Sequence, residues 1–119
     1  MQSYKDLIVW QRGIQLVAEV YRLTKKFPKE EMFGLISQMR RAAVSIPANI
    51  AEGYARKHRP EYLQFLRIAF GSGAELETHL VITEELGFVD RPEIDKTAKL
   101  LNETMRMLNK PISTPVAKP

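Results

Sequence analysis

Apolar residues recur along this chain in steps of three and four, the spacing of one buried face of a helix. Over residues 6–26 the stripe is Trp10, Ile14, Val17, Tyr21 and Thr24, widened by Leu7, Val20 and Leu23. Phe27-Pro28 ends it, because the residue before a proline is pushed out of helical backbone. A short connection over 29–34 leads to a second helix over about 35–57. Pro60 suits the first turn of a third, where its missing N–H costs nothing; Tyr62, Leu66, Ala69, Gly73, Leu76, Leu80 and Thr83 form that helix's stripe. Gly87 is placed as a left-handed cap, with Phe88 folding back on Ile82 or Thr83. Asp90 and Glu93 have capping-box spacing for a fourth helix with Pro92 in its first turn, buried through Ile94, Ala98, Leu101, Met105 and Leu108. No segment alternates with period two. The pattern predicts an all-α, up-down-up-down four-helix bundle over residues 1–110, its short connections making neighbours antiparallel. A disordered tail is expected over 111–119, where three prolines stand among Ser, Thr and Lys.

The second helix has two faces. Met39, Ala43, Ile46, Ile50 and Tyr54 make a buried stripe, while Arg41, Ser45, Asn49, Glu52 and Arg56 repeat with the same steps and are polar. Between them lie Ala42, Ala48, Ala51 and Gly53, small enough for another helix to come close. Two readings stand: a helix covered on both sides, with Arg41, Ser45, Asn49 and Glu52 at a subunit interface, or a core helix with a polar outer face. Pro47 removes one backbone hydrogen bond and frees the Ala43 carbonyl, which predicts a kink; Ser45 or Asn49 could supply the compensating contact.

The 119 residues suit one domain with a single core. A hydrophobic fraction of 45% and a charged fraction of 27% are those of a folded, soluble chain. There is no cysteine, which excludes disulfides, a thiol nucleophile and a Cys-based zinc site, and fits a reducing compartment. With no signal peptide at the N-terminus and no apolar run near the ~20 residues that span a bilayer, the protein is expected in the cytoplasm, away from membranes. Net charge is +4 but segregated: residues 35–73 carry six Lys/Arg against two Asp/Glu, and residues 74–95 carry one against seven. Such asymmetry allows binding of a polyanion and is also produced by ordinary solubility and dipole matching.

Helix bundles often hold di-iron centres built on inward Glu and Glu-x-x-His pairs. Neither His58 nor His79 has a Glu three residues before it. Glu75 and His79 stand one turn apart, which suits a surface or capping role better than a metal. Gly71-Ser-Gly73 lacks the Lys-Ser/Thr of a phosphate loop and reads as small residues for helix contact. Ser45 and Ser72 have no paired base, and Glu52 and Glu75 no evident cleft. The expectation is a protein without enzymatic activity or cofactor.

Several strings are more specific than any pattern: Asp6-Leu-Ile-Val-Trp-Gln11, Phe27-Pro28, Phe33-Gly-Leu35, Gln38-Met-Arg-Arg-Ala42, Ser45-Ile-Pro-Ala-Asn-Ile-Ala-Glu-Gly53 with Arg56, and Phe65-Leu66 with Gly71-Ser72 and Glu75. Over residues 5–88 they resemble the 23S rRNA intervening-sequence protein family, small four-helix bundles encoded within bacterial 23S rRNA genes and elsewhere. The resemblance implies a homopentameric ring and no established enzymatic activity. It also points to a related branch, the accessory variability proteins of diversity-generating retroelements, which bind a reverse transcriptase and nucleic acid. A ring would give the second helix a neighbour on each side.

Two functions follow as expectations. In such a bundle the turn between helices two and three shares one end with the N-terminus and the end of helix four. Arg56, Lys57, His58 and Arg59, with Arg106, Lys110 and Lys5, would gather there, and Glu84, Glu85, Asp90, Glu93 and Asp95 at the other end. The first expectation is sequence-independent RNA or DNA binding through Arg56, Lys57, Arg59, Arg106 and Lys110, with no exposed aromatics interleaved for base readout. The alternative is an adaptor that docks a protein, such as a reverse transcriptase, with no nucleic-acid contact.

Overall fold

A computed structural model describes residues 3–114. Four helices account for most of it: α1 (Ile8–Thr24), α2 (Leu35–Ala55), α3 (Arg59–Leu86) and α4 (Arg91–Ser113), with single 3-10 turns at Tyr4–Asp6 and Lys29–Glu31. No strand occurs among the described residues. Each neighbouring pair meets antiparallel. Arg40 of α2 donates to the Thr24 hydroxyl of α1 at 3.0 Å, while Pro47 lies on Gly13. Ser45 bonds Ser72 across α2 and α3, and Met39 meets Thr83. Met105 of α4 lies on Gly73 of α3, and Arg91 pairs with Glu84. Arg12 of α1 and Lys26 in the turn just after it pair with Glu103 and Glu93 of α4. The result is the up-down-up-down bundle the stripes require, 54 × 22 × 20 Å.

The core follows the predicted stripes most closely in α2, where Met39, Ala43, Ile46 and Ile50 are fully buried and Tyr54 half-buried. Burying a side chain such as Leu16, Leu66 or Leu101 stabilises the fold by about 1.5–3 kcal/mol. Four threonines, Thr24, Thr83, Thr97 and Thr104, are buried as well. Each donates its hydroxyl to the carbonyl one turn earlier, so none is left unpaired.

Helix α1 is turned relative to its predicted stripe. Leu16, Val20 and Leu23 face inward with Gly13, whereas Ile14 and Tyr21 are exposed. The cause is a close crossing: a Cβ on Gly13 would stand 3.2 Å from the Pro47 Cβ. Glycine carries no hydrophobic signal, so the stripe passed over the residue that sets the face. Helix α2 runs unbroken through Pro47. Asn49 donates to the Ser45 carbonyl and hydroxyl at 2.8 and 2.9 Å, not to the carbonyl that Pro47 frees.

The ends also differ in detail. Gly87 caps α3 in the left-handed region at φ 67°, and the Phe88 amide donates to the Thr83 carbonyl while its ring packs on Phe27. Asp90 precedes α4 without a side-chain cap, and Glu93 turns to Lys26 instead. The capping box that does form joins Ser3 and Asp6. Helix α4 runs to Ser113, into the expected tail over 111–119, because Ile112 packs against the core and the Ser113 and Thr114 hydroxyls bond the Asn109 and Lys110 carbonyls. The rest of the expected tail, 115–119, lies outside the described residues.

Candidate nucleic-acid interface

The turn from α2 to α3 is tight, and two of its residues stand where helix stability favours others. Lys57 ends α2 in the left-handed region at φ 54°, the only positive φ on a non-glycine among the described residues. That conformation suits Gly or Asn, and for a residue with a Cβ it costs roughly 1–2 kcal/mol. Arg59 is the first residue of α3, where the helix dipole favours an anion and disfavours a cation by about 0.3–1 kcal/mol. Neither side chain forms an ion pair among the described residues, whereas Arg56 is held by Glu52 at 3.4 Å and Glu61 at 3.6 Å and lies over the Phe65 ring. His58 faces Glu61 at 3.5 Å.

These residues border a groove of about 450 Å³ lined by Leu7, Gly53, Tyr54, Lys57, His58, Arg59 and Tyr62. Leu7 comes from the start of α1, which brings Lys5 to the same end. Tyr54 and Tyr62 meet edge to face, 6.4 Å apart at 82°. Burial and neighbouring Tyr54 raise the Tyr62 pKa, against the pull of Arg59, so its hydroxyl stays protonated. Gly53 lets α3 approach closely beside the groove, because nothing larger fits: a Cβ there would sit 2.7 Å from the Phe65 Cβ. The aromatic pair is not evident from the sequence, where Tyr54 falls in the buried stripe of the second helix and Tyr62 in that of the third. The signal was their spacing, one residue on each flank of a basic turn.

Of the five predicted cations, Arg56, Lys57 and Arg59 come together and Arg106 does not. Met105 lies on Gly73, which sets Arg106 near the level of Ser72, about 20 Å along α3 from Arg59 at 1.5 Å per residue. Lys110 is roughly a turn nearer, still off the groove. Helix α3 extends beyond the end of α4 here, a length difference that helix counting does not expose. The far end is mixed rather than simply acidic. Lys26 pairs with Glu93, and Arg91 pairs with Glu84 and Asp95.

The predicted interface residues divide. Arg41 and Glu52 are exposed, while Ser45 and Asn49 are half-buried and bonded within the subunit, Ser45 to Ser72 and Asn49 to Ser45. On either side of Arg41 runs a groove. One, about 600 Å³ between α1 and α2, is lined by Tyr21, Met32, Phe33, Ile36, Arg40 and Val44 among others, with Phe33 97% exposed. The other, about 390 Å³ between α2 and α3, has Gln38, Ser45, Ser72 and Glu75 in its walls. His79 is a correction: it is 5% exposed, not a surface residue, with Nε2 3.6 Å from Glu75 and Nδ1 buried without a partner. Burial pushes its pKa below the ordinary value and Glu75 pulls the other way. No group of three potential metal ligands occurs among the described residues, and no helix there is long and apolar enough to cross a membrane.

Known proteins place this arrangement. The fold matches the crystal structure of a protein of unknown function from the S23 ribosomal protein family of Bacteroides thetaiotaomicron, with a TM-score of 0.83 at 22% identity over 90% of this chain and 100% of that one. No functionally curated protein matches. The family model described as 23S rRNA-intervening sequence protein matches residues 5–110. The match takes in all of α1, α2 and α3 and most of α4, so the chain belongs to the 23S rRNA-intervening sequence protein family.

Proposed function

We propose that this protein is a non-enzymatic nucleic-acid-binding module that contacts phosphates, without sequence specificity, at the α2–α3 turn. The observation that carries this reading is the placement of Lys57 and Arg59. Dipole matching explains a cation at the end of a helix; it does not explain Arg59 at the start of one. Nor does it explain a lysine in a glycine conformation. Residues kept at a cost to stability point to a binding role. Titrating a single-stranded RNA at rising salt tests it. The affinity should fall with a logarithmic slope of about −0.7 for each phosphate neutralised. The double variant Lys57→Gly, Arg59→Ser should flatten that slope by about 1.4 while leaving the melting temperature unchanged or higher. Wild-type protein that binds neither RNA nor DNA at low salt ends the proposal.

A second reading is favoured by Phe33. A wholly exposed aromatic beside exposed Met32 and Val44 is unusual for a surface with no partner. Two different grooves flank α2, and an interface that joins unlike surfaces closes into a ring when the rotation allows. This supports self-assembly, with five copies the number implied by the family resemblance, and also leaves a face on which a partner protein such as a reverse transcriptase would dock.

A further inference from the structure

The groove at the α2–α3 turn contains more than phosphate binding requires. Two cations on an exposed turn would suffice to hold a backbone phosphate, yet here they border a recess of about 450 Å³, within the ~300–1,000 Å³ of sites that bury small ligands. Its lining includes the apolar side chain of Leu7, which serves as a floor, and two tyrosine rings that meet at 82° and serve as walls. A free phosphate or an acidic peptide would use the cations and leave that floor and those walls empty. A flat aromatic ring joined to an anion would use all of it.

We propose that this groove receives one unpaired nucleotide of a single strand, its base against Tyr54 and Tyr62 and its phosphate between Lys57 and Arg59. The inference rests on the phosphate-binding reading above and adds the strand state of the ligand. Rings at right angles form a corner in which a base that stacks on one tyrosine meets the other edge to face. Stacking tolerates any base, because every base has a π-face. The Tyr62 hydroxyl, half-buried and protonated, can donate to or accept from a base edge without selecting one base. A paired base keeps both faces in its own stack, so a blunt duplex could offer the groove only its phosphates.

The test uses the full chain, a short single-stranded RNA with 2-aminopurine at one end, and the blunt duplex of the same sequence. The single strand should bind more tightly than the duplex, and the terminal 2-aminopurine fluorescence should be quenched on binding. Tyr54→Leu should weaken single-strand binding by roughly 5- to 150-fold, abolish the quench and leave duplex binding unchanged. Tyr54→Trp, which keeps a stacking surface, should retain both the preference and the quench, so a loss in Tyr54→Leu is not a loss of fold. Equal affinity for strand and duplex, or a quench that survives Tyr54→Leu, overturns the nucleotide pocket while phosphate binding stands. Binding of neither probe overturns both readings.

Discussion

His79 shows how a single residue can report on the bundle. Its imidazole is packed into the side of α3, with Glu75 beside it and Arg41 of α2 bordering the same groove as Glu75. Burial lowers its pKa from the ordinary 6.5, so the unfolded chain takes up a proton more readily than the folded one. Stability therefore rises with pH in this window, is complete above 6.5, and is lost as pH falls from there towards the depressed folded value. Denaturant midpoints measured between neutral and mildly acidic pH should fall for the wild type and fall less for His79→Leu. Parallel curves for the two proteins would show that the imidazole titrates the same in both states. From the sequence His79 reads as a surface or capping residue, because a histidine among Glu75, Glu77 and Thr78 carries no apolar signal of its own.

At the scale of helices, the crossings are set by glycines: Gly13 against Pro47, Gly53 against Tyr62 and Phe65, Gly73 against Met105. Gly53 is the tightest, since a Cβ would meet the Tyr62 carbonyl at 3.2 Å as well as the Phe65 Cβ. Gly53→Ala should destabilise the fold despite the better helix propensity of alanine, overpacking costing about 1–3 kcal/mol. Gly71, with nothing within 4 Å, should gain about 0.5–1 kcal/mol as alanine. Thermal melts of the two variants should move in opposite directions; shifts of the same sign would mean that the crossing is looser than its distances. The number of helices, their order and the inward face of α2 were legible in spacing alone, because apolar residues mark those faces without interruption. The face of α1 and the relative heights of α3 and α4 were not, because close approach is signalled by a missing side chain. The groove was half legible: its cations stand together in sequence, while its aromatic walls come from two helices that only the turn brings side by side.

For the whole molecule, the exposed apolar residues of the α1–α2 side are the main unexplained surface. Ile14, Tyr21, Met32, Phe33 and Val44 all stand 39% exposed or more. Self-assembly through this side, in the five copies that the family resemblance implies, should give a particle of five subunits by light scattering, and Phe33→Asp should shift it towards monomer, a charge at the centre of an interface costing several kcal/mol. A wild-type protein that runs as a clean monomer at micromolar concentration would leave the surface to a different partner. The basic turn lies at the end of the bundle and Phe33 near the other, so the substitution should leave the affinity of each subunit for RNA intact.

The antiparallel order of the helices also bears on how the protein comes into being. Each of α1, α2 and α3 packs against the helix that follows it, and only the closure of α4 on α1 joins distant parts of the chain. Bundles of this kind fold within microseconds to milliseconds, far faster than a ribosome extends the chain by one residue. A nascent chain would have its first three helices docked before α4 is complete. Arg12 and Lys26 would then wait for Glu103 and Glu93, and the bundle would close last along the seam between α1 and α4.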